Sequence, residues 1–210
     1  MKKNLALTIA ITGWFAIIAQ YVIMLGNRTL SIGETTARFF IFFTILVNLL
    51  AALYFTRLVL FGNDPSNSVH KPGRLTALAL YIFVVGFVYQ VALRHLWSPK
   101  GMQLIVDELL HSVIPVFTII FWILYENKTR LSYAQIPGWT IFPLLYLGLI
   151  LVYGNATGYY PYPFIDVTTI GIKQALINAV IILLSFLAIA TLVVFIGKKL
   201  LNQQRASGNR

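Results

Sequence analysis

Apolar segments long enough to cross a lipid bilayer recur along this chain, and they constrain its fold more than any other feature. They cover residues 5–25, 38–60, 75–94, 104–125, 139–154 and 174–196. About 20 apolar residues in a helix span the roughly 30 Å of hydrocarbon in a bilayer. The sequence therefore predicts an all-α membrane protein with six transmembrane helices. Residues 1–197 would form a single transmembrane domain, and residues 198–210 would form a polar, basic tail.

The composition favours a membrane protein over a soluble one. Hydrophobic residues make up 59% of the 210 residues, and the mean hydropathy is +0.81. A soluble domain of this size does not need so much apolar surface. The chain has no cysteine, which excludes disulfides, thiol nucleophiles and cysteine-bound metals. HExxH, GxSxG and phosphate-loop motifs are also missing from the sequence, so we predict neither a metal nor a cofactor.

The net charge of +10 predicts a membrane topology and not a nucleic-acid partner, because the basic residues lie in short loops and tails. Cytoplasmic loops of membrane proteins are enriched in Lys and Arg. If both termini are cytoplasmic, eleven basic residues face the cytoplasm, and these are Lys2, Lys3, Arg57, Lys71, Arg74, Lys128, Arg130, Lys198, Lys199, Arg205 and Arg210. The five on the other side are Arg28, Arg38, Arg94, Lys100 and Lys173. We therefore predict a multi-pass protein with cytoplasmic termini, which in a bacterium would lie in the cytoplasmic (inner) membrane.

Polar side chains interrupt two apolar segments that this topology runs in the same direction, from outside to inside. Thr44 lies six residues after Arg38, about 9 Å along a helix, and Asn48 follows one turn later on the same face. His111 lies seven residues after Leu104, or about 11 Å along its own helix. We therefore expect Thr44 and His111 at a similar depth in the outer leaflet.

A histidine inside hydrocarbon is costly, so a functional role is its default explanation. Asp107 lies four residues before His111 on the same helical face, and it can orient the imidazole. Pro115 has no N–H group for the carbonyl of His111, which predicts an interruption of the helix. Simpler roles stay open for the other polar groups. Thr44 can bond back to its own helix, Asn48 can act as a packing contact, and Asp107 can lie at the membrane surface.

The segment 158–166 lies on the same predicted outer side and is rich in aromatic residues and proline. It carries Tyr160, Tyr162 and Phe164, and it ends on Asp166. Such a segment can be part of an aromatic belt at the membrane surface. The alternative is a lid over a substrate cavity near the polar residues of the spans, with Asp166 as a second acid that can orient the histidine.

The segments RFFIFFTILVNLL, LLHSVIPVFTIIFWIL and GWTIFPLLYLGLILVYGNATGYYPYPFIDV together resemble the bacterial branch of the androgen-induced-gene / androgen-dependent TFPI-regulating protein superfamily. The likeness extends from Trp14 to Gly171 and rests on F-T-x-x-x-N, H-x-x-x-P and Y-P-Y-P-F-x-D in combination. Animal members are membrane threonine hydrolases that cleave fatty acid esters of hydroxy fatty acids with one threonine and one histidine. The resemblance implies a nucleophile at Thr44 and a base at His111.

The sequence thus favours an intramembrane hydrolase of lipid carboxylic esters. Thr44 and His111 would be catalytic, and Asp107, Asn48 and Asp166 would support them. The substrate would be a membrane lipid or a fatty acid ester. Two other classes stay open, which are a binding or carrier protein for a lipid or small amphiphile, and a structural protein whose polar residues hold helices together.

Ester hydrolysis also needs a hydrogen-bond donor for the oxyanion of its tetrahedral intermediate. The amide of Asn48 is one candidate, and backbone N–H groups near Pro115 are the other.

The topology can be tested by cysteine labelling, because the natural chain has no cysteine to interfere. With both termini cytoplasmic, position 63 faces inward and position 155 faces outward. A membrane-impermeant thiol reagent applied to intact cells should label Asn155→Cys and spare Asn63→Cys. The reverse pattern would show that the topology is inverted.

Overall fold

The computed structural model describes residues 1–62, 64 and 67–208, and for residues 202–208 it describes the backbone alone. Asn63 and Arg210, which enter the topology argument, lie outside the described residues. Within that part of the chain the protein is all-helical, and six helices are long and apolar enough to cross a membrane. The prediction of an all-α protein with six candidate spans is confirmed at this level.

The helices extend beyond the predicted segments at most ends. In the described residues the α-helices are α1 (Lys2–Gly26), α2 (Ile32–Phe40), α3 (Phe43–Phe61), α4 (Arg74–Val88), α5 (Met102–Glu108), α6 (Ile114–Tyr125), α7 (Ile136–Thr157) and α8 (Val167–Gly208). The candidate spans are Lys2–Gly26, Phe43–Phe61, Arg74–Leu96, Met102–Tyr125, Tyr133–Thr157 and Val167–Leu201. The chain divides into two compact units, Met1–Asn127 and Lys128–Arg210.

The predicted helix 38–60 is in fact two helices. It breaks at Ile41–Phe42, where Phe42 takes an extended conformation before α3 begins. Arg38 therefore belongs to α2, and Thr44 lies in the first turn of α3. The prediction that these two residues share a helix is wrong, and so is the depth measured from one to the other. The residues around the break are Phe and Ile, so no Gly or Pro signals it in the sequence.

The start of α2 carries a signal that the sequence analysis missed. The Ser31 hydroxyl accepts a hydrogen bond from the N–H of Glu34 at 3.2 Å. This S-x-x-E spacing is typical of a helix N-terminus. Arg38 then donates to the Glu34 carboxylate at 2.8 Å, one turn further along. The sequence before the second span therefore contained a signal for a separate short helix.

A narrow seam between α1 and α3 forms much of the core of the first unit. Both helices carry small buried residues, and these are Ala6, Ala10, Gly13 and Ala16 on α1 and Ala51 and Ala52 on α3. A Cβ atom placed on Gly13 would lie 3.2 Å from the Cβ of Ala52. Small residues allow the backbones of membrane helices to approach closely, which is a main source of their association in lipid. The indole N–H of Trp14 also donates across the seam to the Thr56 hydroxyl at 3.0 Å.

The fourth span is interrupted close to the predicted position. A π-helical turn, Leu109–Val113, joins α5 to α6, and the N–H of Ile114 bonds to the carbonyl of Leu109, five residues back. Pro115 follows in the first turn of α6. A π turn, Tyr89–Leu93, also follows α4 in the third span. Such turns accommodate one extra residue and are frequent at functional sites.

In the second unit, the aromatic segment after α7 is anchored on that helix. Gly158 ends α7 with a left-handed φ of +72°, which turns the chain back. The ring of Tyr160 then lies against Gly154, where a Cβ atom would come within 2.1 Å of the ring. The side-chain amide of Asn178 in α8 donates to the carbonyl of Phe164 at 2.8 Å. The segment is thus held by both helices of its unit.

The seam between α1 and α3 yields a stability prediction. Gly13→Leu should lower the free energy of unfolding by about 1–3 kcal/mol, because the new side chain overfills the seam against Ala52. Gly148→Leu in α7 is the matched control, since a Cβ atom there meets nothing within 4 Å. Thermal unfolding of the purified protein in detergent would measure both. Equal unfolding temperatures for the two variants would contradict close packing at Gly13.

Candidate functional site

Thr44 and His111 lie side by side in the first unit. The Thr44 hydroxyl oxygen is 3.3 Å from Nε2 of His111. Thr44 is 9% exposed and the His111 side chain 13% exposed, so the contact is largely shielded. The distance is slightly longer than the roughly 2.6–3.2 Å of an engaged nucleophile and base, a gap that is common in resting sites. The expected proximity of the two residues is therefore present, and their catalytic role stays a prediction.

The Thr44 hydroxyl differs from most threonine hydroxyls in membrane helices. Such hydroxyls commonly bond back to the carbonyl four residues earlier in their own helix. Several threonines of this chain do so, namely Thr8, Thr36, Thr140, Thr157 and Thr191. Thr44 lies in the first turn of α3, and the carbonyl four residues earlier belongs to α2. The break between these helices leaves its hydroxyl oriented toward His111.

The contacts of the His111 ring define its tautomer. Nδ1 lies 3.0 Å from the backbone carbonyl of Asp107 and 3.3 Å from a carboxylate oxygen of the same residue. Both groups are acceptors when the carboxylate is ionised, so the ring proton belongs on Nδ1. Nε2 then has a free lone pair that faces the Thr44 hydroxyl. An imidazole held in this way can accept the hydroxyl proton.

Tyr89 completes the surroundings of the histidine, and the sequence analysis missed it. Its hydroxyl donates to the second carboxylate oxygen of Asp107. Its ring stacks on the His111 ring, with 4.0 Å between centroids and 15° between planes. One tyrosine among the 11 of the chain gives no signal in sequence, because Tyr89 lies 22 positions from His111 without a shared motif.

Asn48 connects the two helices that carry the pair. Its side-chain nitrogen donates to the carbonyl of Thr44 at 2.9 Å and to the carbonyl of Leu110 at 3.2 Å. An amide nitrogen has two hydrogens, and these bonds use both. Asn48 is fully buried, and its amide cannot turn to another partner without leaving the carbonyl of Leu110 unpaired. Its amide hydrogens thus hold α3 against the π turn, and the suggestion that they donate to an oxyanion stays a prediction.

Pro115 leaves backbone carbonyls of the π turn without a hydrogen-bond donor, and Asn48 provides one. Proline has no N–H group, so neither the carbonyl four residues earlier nor the one five residues earlier can bond to it. Those carbonyls belong to His111 and Leu110. The carbonyl of Leu110 accepts a hydrogen bond from the Asn48 side-chain amide instead. The carbonyl of His111 faces Gly86 in α4, where a Cβ atom would lie only 3.0 Å from it.

A charged cluster adjoins the site on its more exposed side. Arg94 donates to Glu108 and, at 2.9 Å, to Gln90. Ser112 donates to Glu108 at 2.7 Å and accepts from Gln90 at 3.0 Å. Glu108 is thereby engaged with its own neighbours, whereas Asp107 contacts His111 directly.

The remaining predicted site residues lie in the second unit. Asp166 accepts from the backbone N–H of Thr168 at 3.0 Å and also binds the hydroxyls of Thr168 and Thr169. These bonds, that of the Thr168 hydroxyl above all, lower the pKa of Asp166. Tyr162 and Phe164 stack on each other with 5.2 Å between ring centroids. The roles of Asp166 as a partner of the histidine and of Tyr160, Tyr162 and Phe164 as a lid stay predictions.

Asn48 gives a test of this geometry that is independent of any activity. Asn48→Asp keeps the shape of the side chain but turns a carboxylate toward two carbonyls. Unpaired buried groups cost about 1–3 kcal/mol each, so the variant should unfold at a clearly lower temperature than the natural protein. Asn155→Asp makes the same change at an exposed position and should have little effect. An unaltered unfolding temperature for Asn48→Asp would contradict the contacts given to Asn48.

Comparisons of the chain with protein-family models, with curated proteins and with solved structures found no match.

Proposed function

We propose that this protein is an intramembrane hydrolase of lipid carboxylic esters, with Thr44 as nucleophile and His111 as general base. The observation that carries the proposal is the contact between the Thr44 hydroxyl and Nε2 of His111 at 3.3 Å. A threonine hydroxyl is a weak nucleophile until an adjacent base takes its proton. The ring proton on Nδ1 leaves Nε2 able to do so.

The reaction would proceed in two halves. In the first, the Thr44 oxygen attacks the ester carbonyl carbon while Nε2 of His111 takes the hydroxyl proton. The tetrahedral intermediate collapses, the alcohol leaves with that proton, and the acyl group stays on Thr44. In the second half, His111 takes a proton from water, the hydroxide adds to the acyl carbon, and the carboxylic acid leaves. The proton returns to Thr44, so the enzyme ends as it began.

The oxyanion would be stabilised by the first turn of α3. The first N–H groups of a helix have no acceptor within that helix, and they form the positive end of its dipole. Thr44 is the second residue of α3, so its own N–H belongs to this set. A backbone donor on the nucleophile itself suits an oxyanion formed on the adjacent carbon. This assignment replaces Asn48, whose amide hydrogens are engaged.

The substrate would enter from the lipid. We place both termini in the cytoplasm on the basis of the Lys and Arg distribution, which puts the Thr44–His111 pair toward the outer leaflet. The same topology puts the segment 158–166 on the outer side of the membrane, and its role as a lid is a prediction from the sequence. In a bacterium the protein would lie in the inner membrane. Fatty acid esters of hydroxy fatty acids are the first substrates to test, because the resemblance suggests them.

A second candidate function is the binding or transport of a lipid without catalysis. One observation favours it. Among the described residues, Asn48 Oδ1 is buried and has no hydrogen-bond partner. Buried polar atoms are nearly always paired, so an unpaired acceptor one turn from Thr44 suits a ligand that brings a donor such as a hydroxyl group.

Covalent labelling would test the nucleophile. A fluorophosphonate probe should label the natural protein, and Thr44→Ala should abolish the labelling because the reacting oxygen is gone. Thr44→Ser should retain part of it, since the hydroxyl remains. His111→Ala should reduce ester turnover by at least about 10²-fold, the lower end of what a general base contributes.

Thr140→Ala is the matched control for these variants. Thr140 is also a buried threonine, but its hydroxyl bonds back to the carbonyl of Ile136 at 2.9 Å. This variant should keep both labelling and turnover. Full turnover by a folded Thr44→Ala protein would refute the nucleophile. A natural protein that binds a fluorescent fatty acid but hydrolyses no lipid ester would favour the second candidate.

A further inference from the structure

We infer that Tyr89 is a positioning residue that holds Asp107 and the His111 ring in the geometry that the reaction needs. This inference rests on the proposed function and adds a residue that the threonine–histidine pair does not include. Tyr89 would act through its neighbours and would not touch the substrate.

The first contact of Tyr89 restricts the imidazole. The two rings are nearly parallel and only 4.0 Å apart, so the His111 ring cannot rotate without displacing Tyr89. Tyr89 is itself 4% exposed and held among core residues. The guanidinium of Arg94 lies over the same tyrosine ring at 5.9 Å from its centroid. A fixed ring plane keeps Nε2 directed at the Thr44 hydroxyl.

The second contact of Tyr89 fixes the acid. The Tyr89 hydroxyl binds one carboxylate oxygen of Asp107, and the other oxygen lies 3.3 Å from Nδ1 of His111. The carboxylate is thereby held by the tyrosine and directed toward the imidazole. Tyr89, Asp107, His111 and Thr44 form one continuous chain of polar contacts. Each member sets the orientation of the next, which is the arrangement that a general base requires from its supporting group.

Packing alone does not explain why a tyrosine hydroxyl and a carboxylate are buried together here. Asp107 is 3% exposed within a span, and burying a carboxylate is expensive unless it is paired. Apolar residues of similar volume often stabilise a protein as well as a buried polar pair or better. Phenylalanine would retain the stacking on His111 without needing a partner. The tyrosine hydroxyl and the carboxylate therefore depend on each other, and both are explained by the orientation of His111.

The backbone conformation around Tyr89 and His111 also supports a positioning role for Tyr89. Tyr89 begins the π turn Tyr89–Leu93 of the third span, and His111 is the middle residue of the π turn Leu109–Val113 of the fourth. The two turns therefore bring Tyr89 and His111 into contact at the same level. Departures from regular helix at matching positions suit a site that must be shaped, because uninterrupted helices would pack more simply.

The test compares Tyr89→Phe with Tyr54→Phe. Tyr89→Phe keeps the stacked ring and loses the hydroxyl, so we expect kcat to fall about 10–100-fold while KM changes little. Tyr54 also donates a hydrogen bond inside the first unit, to the carbonyl of Val69 at 3.2 Å. Tyr54→Phe should therefore leave kcat unchanged. A natural kcat for Tyr89→Phe would overturn the inference.

A double-mutant cycle shows whether Tyr89 acts through Asp107. In an Asp107→Asn background, Tyr89→Phe should cause little further loss of kcat, because the group it positions is already gone. Independent losses that multiply would overturn this route. Thermal unfolding of each variant separates loss of folding from loss of positioning.

Nitrogen NMR of histidine-labelled protein gives a readout that needs no activity. The chain has three histidines, so His111→Gln assigns the signals. Tyr89→Phe should shift the Nδ1 resonance of His111, and Tyr54→Phe should not. An unmoved resonance would refute the positioning role even in an active enzyme. If the natural protein proves inactive on esters, the proposed function fails, and the NMR result still decides whether Tyr89 orients the histidine.

Discussion

The missing N–H group of Pro115 controls the structure around His111. In lipid there is no water to pair a free carbonyl, so every backbone group deprived of its helical partner needs a substitute from the protein. Here the helix forms a π turn at Leu109–Val113, and the Asn48 amide donates a hydrogen bond to the carbonyl of Leu110. The same amide binds the carbonyl of Thr44. One proline thus determines the contact between two helices, and that contact sets where threonine and histidine meet.

The break between α2 and α3 has a comparable influence on Thr44. Had the helix continued without interruption from Arg38, the Thr44 hydroxyl would have found a carbonyl four residues earlier. The interruption at Ile41–Phe42 instead places Thr44 in a first turn, with its hydroxyl beside Nε2 of His111. Both members of the pair therefore owe their orientation to irregular backbone. At the π turn, the irregularity is stabilised by the Asn48 side chain of α3.

The sequence predicted much of the fold and part of the site, for identifiable reasons. Apolar segment length is a strong signal, so the candidate spans were found. His111, Asp107 and Pro115 were found because polar residues and proline are conspicuous in an apolar helix. Tyr89 was missed because tyrosine is common here and its partner is distant in sequence. The contacts of the Asn48 amide with two backbone carbonyls were missed because sequence does not reveal which groups an amide binds.

The π turn in the fourth span also explains the spacing of its buried residues. Val106, Leu110, Ile114, Thr118 and Trp122 are all buried and recur every four residues. A regular helix has about 3.6 residues per turn, so each step of four would drift by about 40°, and four steps by about 160°. The wider π turn absorbs part of that drift and keeps the row inside the protein. Insertion or deletion of one residue between 109 and 113 would therefore rotate all of α6 relative to α5, which makes the length of this segment as constrained as the identity of its residues.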